Sequence, residues 1–186
     1  LKDMASIDIH SMLPELGECH FDILCDVDAP LLGVNGCSLV FGPQKGASPQ
    51  LAQKMDHWMR HYADCVRHIY PDAMPEARGA GAAGGLGFAL LVFCKAVLVP
   101  GVPTIAQKIR LDEKIERADC IITGEGKFDA QSMMGKTPVG IANIAKKHHK
   151  PVIALVGAID EGCFNCDDVG IDAIFSIQQS PCTFDE

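Results

Sequence analysis

From Asp119 onward the chain follows a pattern that only a layered α/β fold accommodates. Asp119–Thr123 is a short β-rich run, and 124–135 reads as a polar loop. Thr137-Pro138 has the form of a helix start, with Ile141, Ile144, Ala145 and His148 continuing at helical spacing until Pro151 stops them. Val152–Val156 is an unbroken apolar run, and Ala173–Ile177 is another. Strands apolar on both faces belong in a parallel sheet covered by helices. Strand, helix, strand at these lengths is a βαβ unit with a right-handed crossover.

The preceding half reads differently. Phe21, Ile23, Cys25 and Val27 alternate with His20, Asp22, Leu24 and Asp26, a strand that Pro30 ends. Leu31–Ser48 is rich in turn residues. Ser48-Pro49 is a cap-plus-proline start, and Leu51, Met55, Trp58, Met59, Tyr62 and Val66 predict a helix from Pro49 to Ile69. A second helix is expected over Leu86–Val99, apolar nearly all round and closed by Pro100-Gly101. Further helix is expected over Thr104–Arg110 and Asp112–Arg117. A soft boundary therefore falls near Arg110. Residues 1–110 read as a glycine- and helix-rich domain, and residues 111–186 as a Rossmann-like parallel α/β domain.

Composition narrows the function. The 186 residues are 48% hydrophobic and 22% charged, as in ordinary globular proteins. A net charge of -8 disfavours nucleic acid and gives no pull toward anionic membranes. The cysteines number nine, an odd count, and most sit in apolar runs, which suits reduced thiols in a cytoplasmic protein. Cys163 and Cys166 form a CxxC with no second pair at zinc spacing. The uncharged stretch Gly79–Cys94 is short for a membrane span. A start at Leu1 rather than Met suggests a fragment or a processed chain.

The sequence offers several motifs that could carry chemistry. Asp26 and Asp28 lie two apart at a strand end, so both carboxylates can project to one side. They could hold Mg²⁺, or one could accept a proton from a hydroxyl; on spacing alone a solvated strand end is the better reading. Lys45, in Gly42-Pro43-Gln44-Lys45-Gly46, lies just before a helix cap, where an anion is favoured; an ordinary exposed lysine is the equal alternative. The run Gly79-Ala80-Gly81-Ala82-Ala83-Gly84-Gly85 contains GxGxxG but follows no strand, so a nicotinamide fingerprint is rejected. Close backbone approach to a ligand and tight packing between helices remain open. The segment from Gly124, Glu125, Gly126 and Lys127 through Asp129, Gln131 and Lys136 follows a strand and leads into a helix, where α/β folds bind ligands. Gly135-Lys136-Thr137 ends like a phosphate loop, but Ala130 stands where its first glycine would be.

Taken in order, Cys25–Asp28 with Pro30-Leu31, Gly36 with Phe41–Ala47, Gly79–Gly87, Asp119–Gly126, Asp129–Gln131 and Gly135–Ala142 resemble the bacterial-type, ATP-dependent glycerate kinase family. The resemblance implies a two-domain α/β architecture with the site in a cleft between domains. It also implies phosphorylation of the small molecule D-glycerate with release of ADP, 2-phosphoglycerate being the favoured product. ATP and Mg²⁺ are the implied cofactors, and a homo-oligomer is compatible with it. Asp26 and Asp28 would serve as metal ligands or base, with Glu125 and Asp129 as further metal candidates. Lys45 and Lys136 would hold phosphate or the acid's carboxylate, and Gly79, Gly81, Gly84 and Gly85 would lie against the ligand. Family members are longer, so the chain is expected to be a central and C-terminal-side piece. A non-catalytic nucleotide- or acid-binding module, or an inactive piece of the kinase, is the alternative. Ala29, Lys127 and Ser132 replace a more usual asparagine, arginine and threonine.

Overall fold

The polar segment after Thr123 does not loop out. It continues as strand because glycines let two backbones lie close: a side chain at Gly157 would strike the backbone of Gly126. The computed structural model describes residues 1–133, 137–160 and 167–178. Its backbone contacts divide the chain into two units, Leu1–Pro100 and Gly101–Glu186.

In the first unit, β1 (Asp22–Leu24) pairs in parallel with β2 (Val97–Val99), with Asp22 opposite Val97 and Leu24 opposite Val99. The expected helix through Val99 therefore ends early. Lys95 turns left-handed (φ 50°), and the apolar run beyond it becomes a strand. The turn-rich segment contains a short helix, α1 (Cys37–Phe41), and a 3-10 turn over Pro43–Lys45. Helix α2 (Pro49–Ile69) starts where expected, with Ser48 Oγ accepting from Leu51 N–H at 3.2 Å. Helix α3 (Ala82–Phe93) is kinked: Ala83, Gly84 and Gly85 are all left-handed, and regular helix begins after them. Leu31, Val66, Ala80 and Phe88 are buried together, and Tyr62 meets the Phe88 ring edge to face at 5.6 Å.

In the second unit, β3 (Ile121–Phe128), β4 (Val152–Ile159) and β5 (Ala173–Ser176) form a parallel sheet in that order. Helices α4 (Gly101–Lys108), α5 (Leu111–Glu116), α6 (Ala130–Met133) and α7 (Thr137–Lys147) complete it. Because α4 packs on α5 and α7, it belongs with this unit, upstream of the Arg110 boundary read from sequence. Val139, Ala142 and Ala145 of α7 are buried with Val152, Ala154 and Val156 of β4. On the opposite face Ile122, Leu155 and Phe175 are exposed. Among the described residues no helix is long and apolar enough to cross a membrane. Cys163 and Cys166 lie outside the described residues.

Asp172 ties this sheet to its helix. Its carboxylate accepts from Val152 N–H at 2.7 Å and from Lys146 Nζ at 3.0 Å. The Val152 amide first, and the Lys146 side chain after it, hold the Asp172 carboxyl below the usual carboxylate range. A depressed folded value means the stabilisation is complete above the unfolded value and is lost as pH falls through the folded one. Urea midpoints should therefore decline with acid from about pH 5 downward, and Asp172→Asn should flatten that decline. Coincident acid limbs would show that the carboxylate contributes nothing.

Candidate functional site in the first unit

Parallel pairing puts the carboxyl ends of β1 and β2 side by side, the place where α/β folds gather ligands. The segment leaving β1 carries Asp26 and Asp28 past that end. Asp28 is gripped by Arg78, whose Nε donates to Oδ1 at 3.1 Å and whose Nη2 donates to Oδ2 at 2.6 Å. This two-pronged pair stays largely in solvent, so it orients more than it stabilises. Asp28 in turn raises the Arg78 guanidinium further. Arg78 was not among the sequence candidates. The signal was its position directly before the glycine run, but the pair spans 50 residues and no local pattern announces it.

The glycine run divides its work. Gly79 is left-handed (φ 78°), and a side chain there would meet Leu98 Cδ1 at 2.6 Å and Cys25 Sγ at 3.0 Å. Gly81 donates its N–H to Ala29 C=O at 2.9 Å, and a Cβ there would strike the Pro30 carbonyl. At Gly85 a Cβ would come within 2.9 Å of Leu31 Cδ1. These three are packing glycines. Gly84 differs: it is left-handed (φ 70°) with no atom within 4 Å of a built Cβ.

Gly84 and Ala83 face a cavity of about 490 Å³. Lys45 and Gly46 line it from the other side, so two separate sequence motifs converge on one hollow. Met55 and Met59 of α2, with Phe41, supply an apolar wall. Lys45 is exposed and has no ion-pair partner among the described residues. Ser38 lines the same cavity; it is 3% exposed, and among the described residues its Oγ has no hydrogen-bond partner. Burial raises the neighbouring Cys37 thiol. A second hollow of about 280 Å³ is lined by Asp28, Arg78, Leu98 and Pro100. Val27 lines both hollows, so they lie on either side of one residue.

In the second unit Gly124, Glu125, Gly126 and Lys127 sit in β3 rather than in a loop. The Oε2 of Glu125 is buried and has no hydrogen-bond partner among the described residues. Lys127 Nζ pairs with Asp160 at 2.7 Å. Asp129 caps α6: its Oδ1 accepts from Ser132 N–H at 2.9 Å, while Ser132 Oγ accepts from Asp129 N–H at 3.3 Å. In that reciprocal bond the Ser132 hydroxyl meets the amide of Asp129. Gln131 lies in α6, and Lys136 lies outside the described residues.

The glycerate kinase family model matches residues 1–186. The chain belongs to the glycerate kinase family. It is 42% identical over its whole length to the glycerate 2-kinase of Escherichia coli K12, of which it covers 49%. It is 41% identical over 177 residues to the glycerate kinase of Haemophilus influenzae, covering 95% of this chain and 47% of that one. A crystal structure assigned as a glycerate kinase 2 from Salmonella typhimurium LT2 superposes with a TM-score of 0.72 at 40% identity, over 99% of this chain and 47% of that one. The chain thus spans about half the length of these family members.

The two kinds of glycine should respond differently to a methyl group. Gly81→Ala should cost about 1–3 kcal/mol through overpacking. Gly126, which has open space and no positive φ, should accept alanine within about 0.5 kcal/mol. Denaturant unfolding measures both, and equal losses would contradict the division.

Proposed function

We propose that the protein phosphorylates D-glycerate with ATP, releasing ADP and forming 2-phosphoglycerate. The observation that carries this reading is the pair of hollows flanking Val27, one bearing Lys45 and the other bearing Asp28 with Arg78. Phosphoryl transfer needs charge neutralisation, alignment of the acceptor and removal of its proton. In the proposed step a glycerate hydroxyl oxygen bonds to the γ-phosphorus, the bond from that phosphorus to the β–γ bridging oxygen breaks, and the hydroxyl proton passes to Asp26 or Asp28. Arg78 fixes the direction of Asp28. Lys45 and Lys136 neutralise phosphate oxygens or the glycerate carboxylate, and Glu125, Lys127, Asp129 and Gln131 are further binding candidates.

Mg²⁺ suits the hard oxygen donors of Asp26 and Asp28; Asp129, in the second unit, is a separate candidate. Kinase sites hold it through one or two carboxylates completed by substrate phosphates, not through an all-protein cage. Among the described residues no three or more His, Cys, Asp or Glu come together in a metal-binding group. When bound, the ion would offset charge on the phosphates.

Half-length coverage of the relatives supports one other reading, a module that binds nucleotide or acid without transfer. Thermal shifts with ATP and D-glycerate, followed by an ADP-release assay, separate the two. In the full-length enzyme, Asp28→Asn should lower turnover by about 100-fold or more while leaving the melting temperature nearly unchanged. Turnover within a few-fold of the unsubstituted enzyme would remove Asp28 from the mechanism. The position of the new phosphate, read by phosphorus NMR, checks the product.

A further inference from the structure

The two hollows differ in chemistry, and that difference sorts the substrates. Glycerate carries oxygen on every carbon and has almost no apolar surface to bury. The larger cavity, about 490 Å³, is walled by Phe41, Met55 and Met59. Burying so polar an acid against that wall would strip its hydration without replacement. A cavity of this size and lining, with few polar groups at its edge, suits a largely apolar, flat ligand. Methionine thioethers pack well on aromatic rings. Gly84 leaves its side of the wall open to close approach. Lys45 and Gly46 at the rim then place an ammonium group where a charged tail would emerge.

We infer that this cavity takes the nucleoside of ATP, its base lying against Met55, Met59 and Gly84 and its phosphates against Lys45, while glycerate occupies the smaller hollow beyond Val27. This rests on the kinase reading and adds to it the seating of each substrate. Another cavity in the first unit, about 410 Å³, is lined by Met74, Leu91 and Lys95 and none of the candidate residues. It provides the internal control.

The test is a titration of the protein, labelled with ¹³C at its methionine methyls, with adenosine and then with ATP. Adenosine should shift the Met55 and Met59 signals and leave Met74 in place. Silence at Met55 and Met59, or a response at Met74 instead, overturns the assignment without any variant. Ala47→Leu, which fills the cavity, should weaken adenosine and ATP at least 10-fold and leave D-glycerate within twofold. Lys45→Ala should weaken ATP about 10-fold yet leave adenosine within twofold. Full ATP affinity in Ala47→Leu, with its fold confirmed by circular dichroism, also overturns the proposal. The failures are distinguishable: Met55 and Met59 responding without ADP release from the full-length enzyme would sink the kinase reading and uphold the cavity, whereas ADP release with an unchanged Michaelis constant for ATP in Ala47→Leu would do the reverse.

Discussion

No side chain stands between the backbone at Gly79 and Gly81 and the segment leaving β1, and the first unit's site depends on that contact. Gly81 bonds to the Ala29 carbonyl, and a Cβ there would collide with Pro30. The crossing sets Arg78 beside Asp28 and carries Ala83 and Gly84 on to the Lys45 cavity. Three successive left-handed residues, Ala83 to Gly85, then turn the chain into α3. One of them is an alanine, which normally avoids that region at about 1–2 kcal/mol. Ala83 is exposed, and this strained residue lines the cavity.

Local signals in the sequence were strong where one interaction decides the structure. Ser48-Pro49 starts α2 and Pro71 follows its end, so both limits were legible. The apolar run at Val152 was legible because a buried parallel strand tolerates no polar face. The misreadings have one cause. Val97–Val99 is apolar enough for helix or strand, and only the distant partner Asp22–Leu24 decides. Glycines and charges over Gly124–Lys127 imitate a loop, yet β4 supplies a partner for them, Glu125 opposite Val156 and Lys127 opposite Ala158. Side-chain pairings were hidden in the same way. The Asp28–Arg78 pair and the shared cavity of Lys45 and Gly84 join segments far apart in the chain, which no local periodicity encodes.

The second unit shows how a residue can suit two roles. Asp129 fits a ligand set by type and spacing, but its Oδ1 is already engaged in capping α6. Its geometry is thereby fixed before any ligand arrives, which is what a positioned carboxylate requires. Glu125 is the complementary case. Among the described residues no donor reaches its buried Oε2, and an unpaired buried carboxylate oxygen is costly. The exposed row Ile122, Leu155 and Phe175 adds a further departure from economy. Parallel sheets are ordinarily covered on both faces, whereas this row is exposed.

Dividing a kinase site into an apolar cavity and a charged hollow has a physical consequence for the reaction. Apolar burial grips the part of a nucleotide that does not change during transfer. Binding energy gained there is the same before and at the transition state, so by itself it cannot accelerate chemistry. Acceleration has to come from groups that meet charge as it develops and from alignment of the acceptor. Val27, lining both hollows, sets where those two functions meet. Its neighbour Asp28 lines the smaller hollow, so the residue shared by the hollows is next in sequence to one carboxylate at their edge. In the proposed division, the segment leaving β1 would thus bring an apolar contact and a carboxylate to adjoining hollows, which is the sorting a transfer between a nucleotide and a hydroxy acid requires.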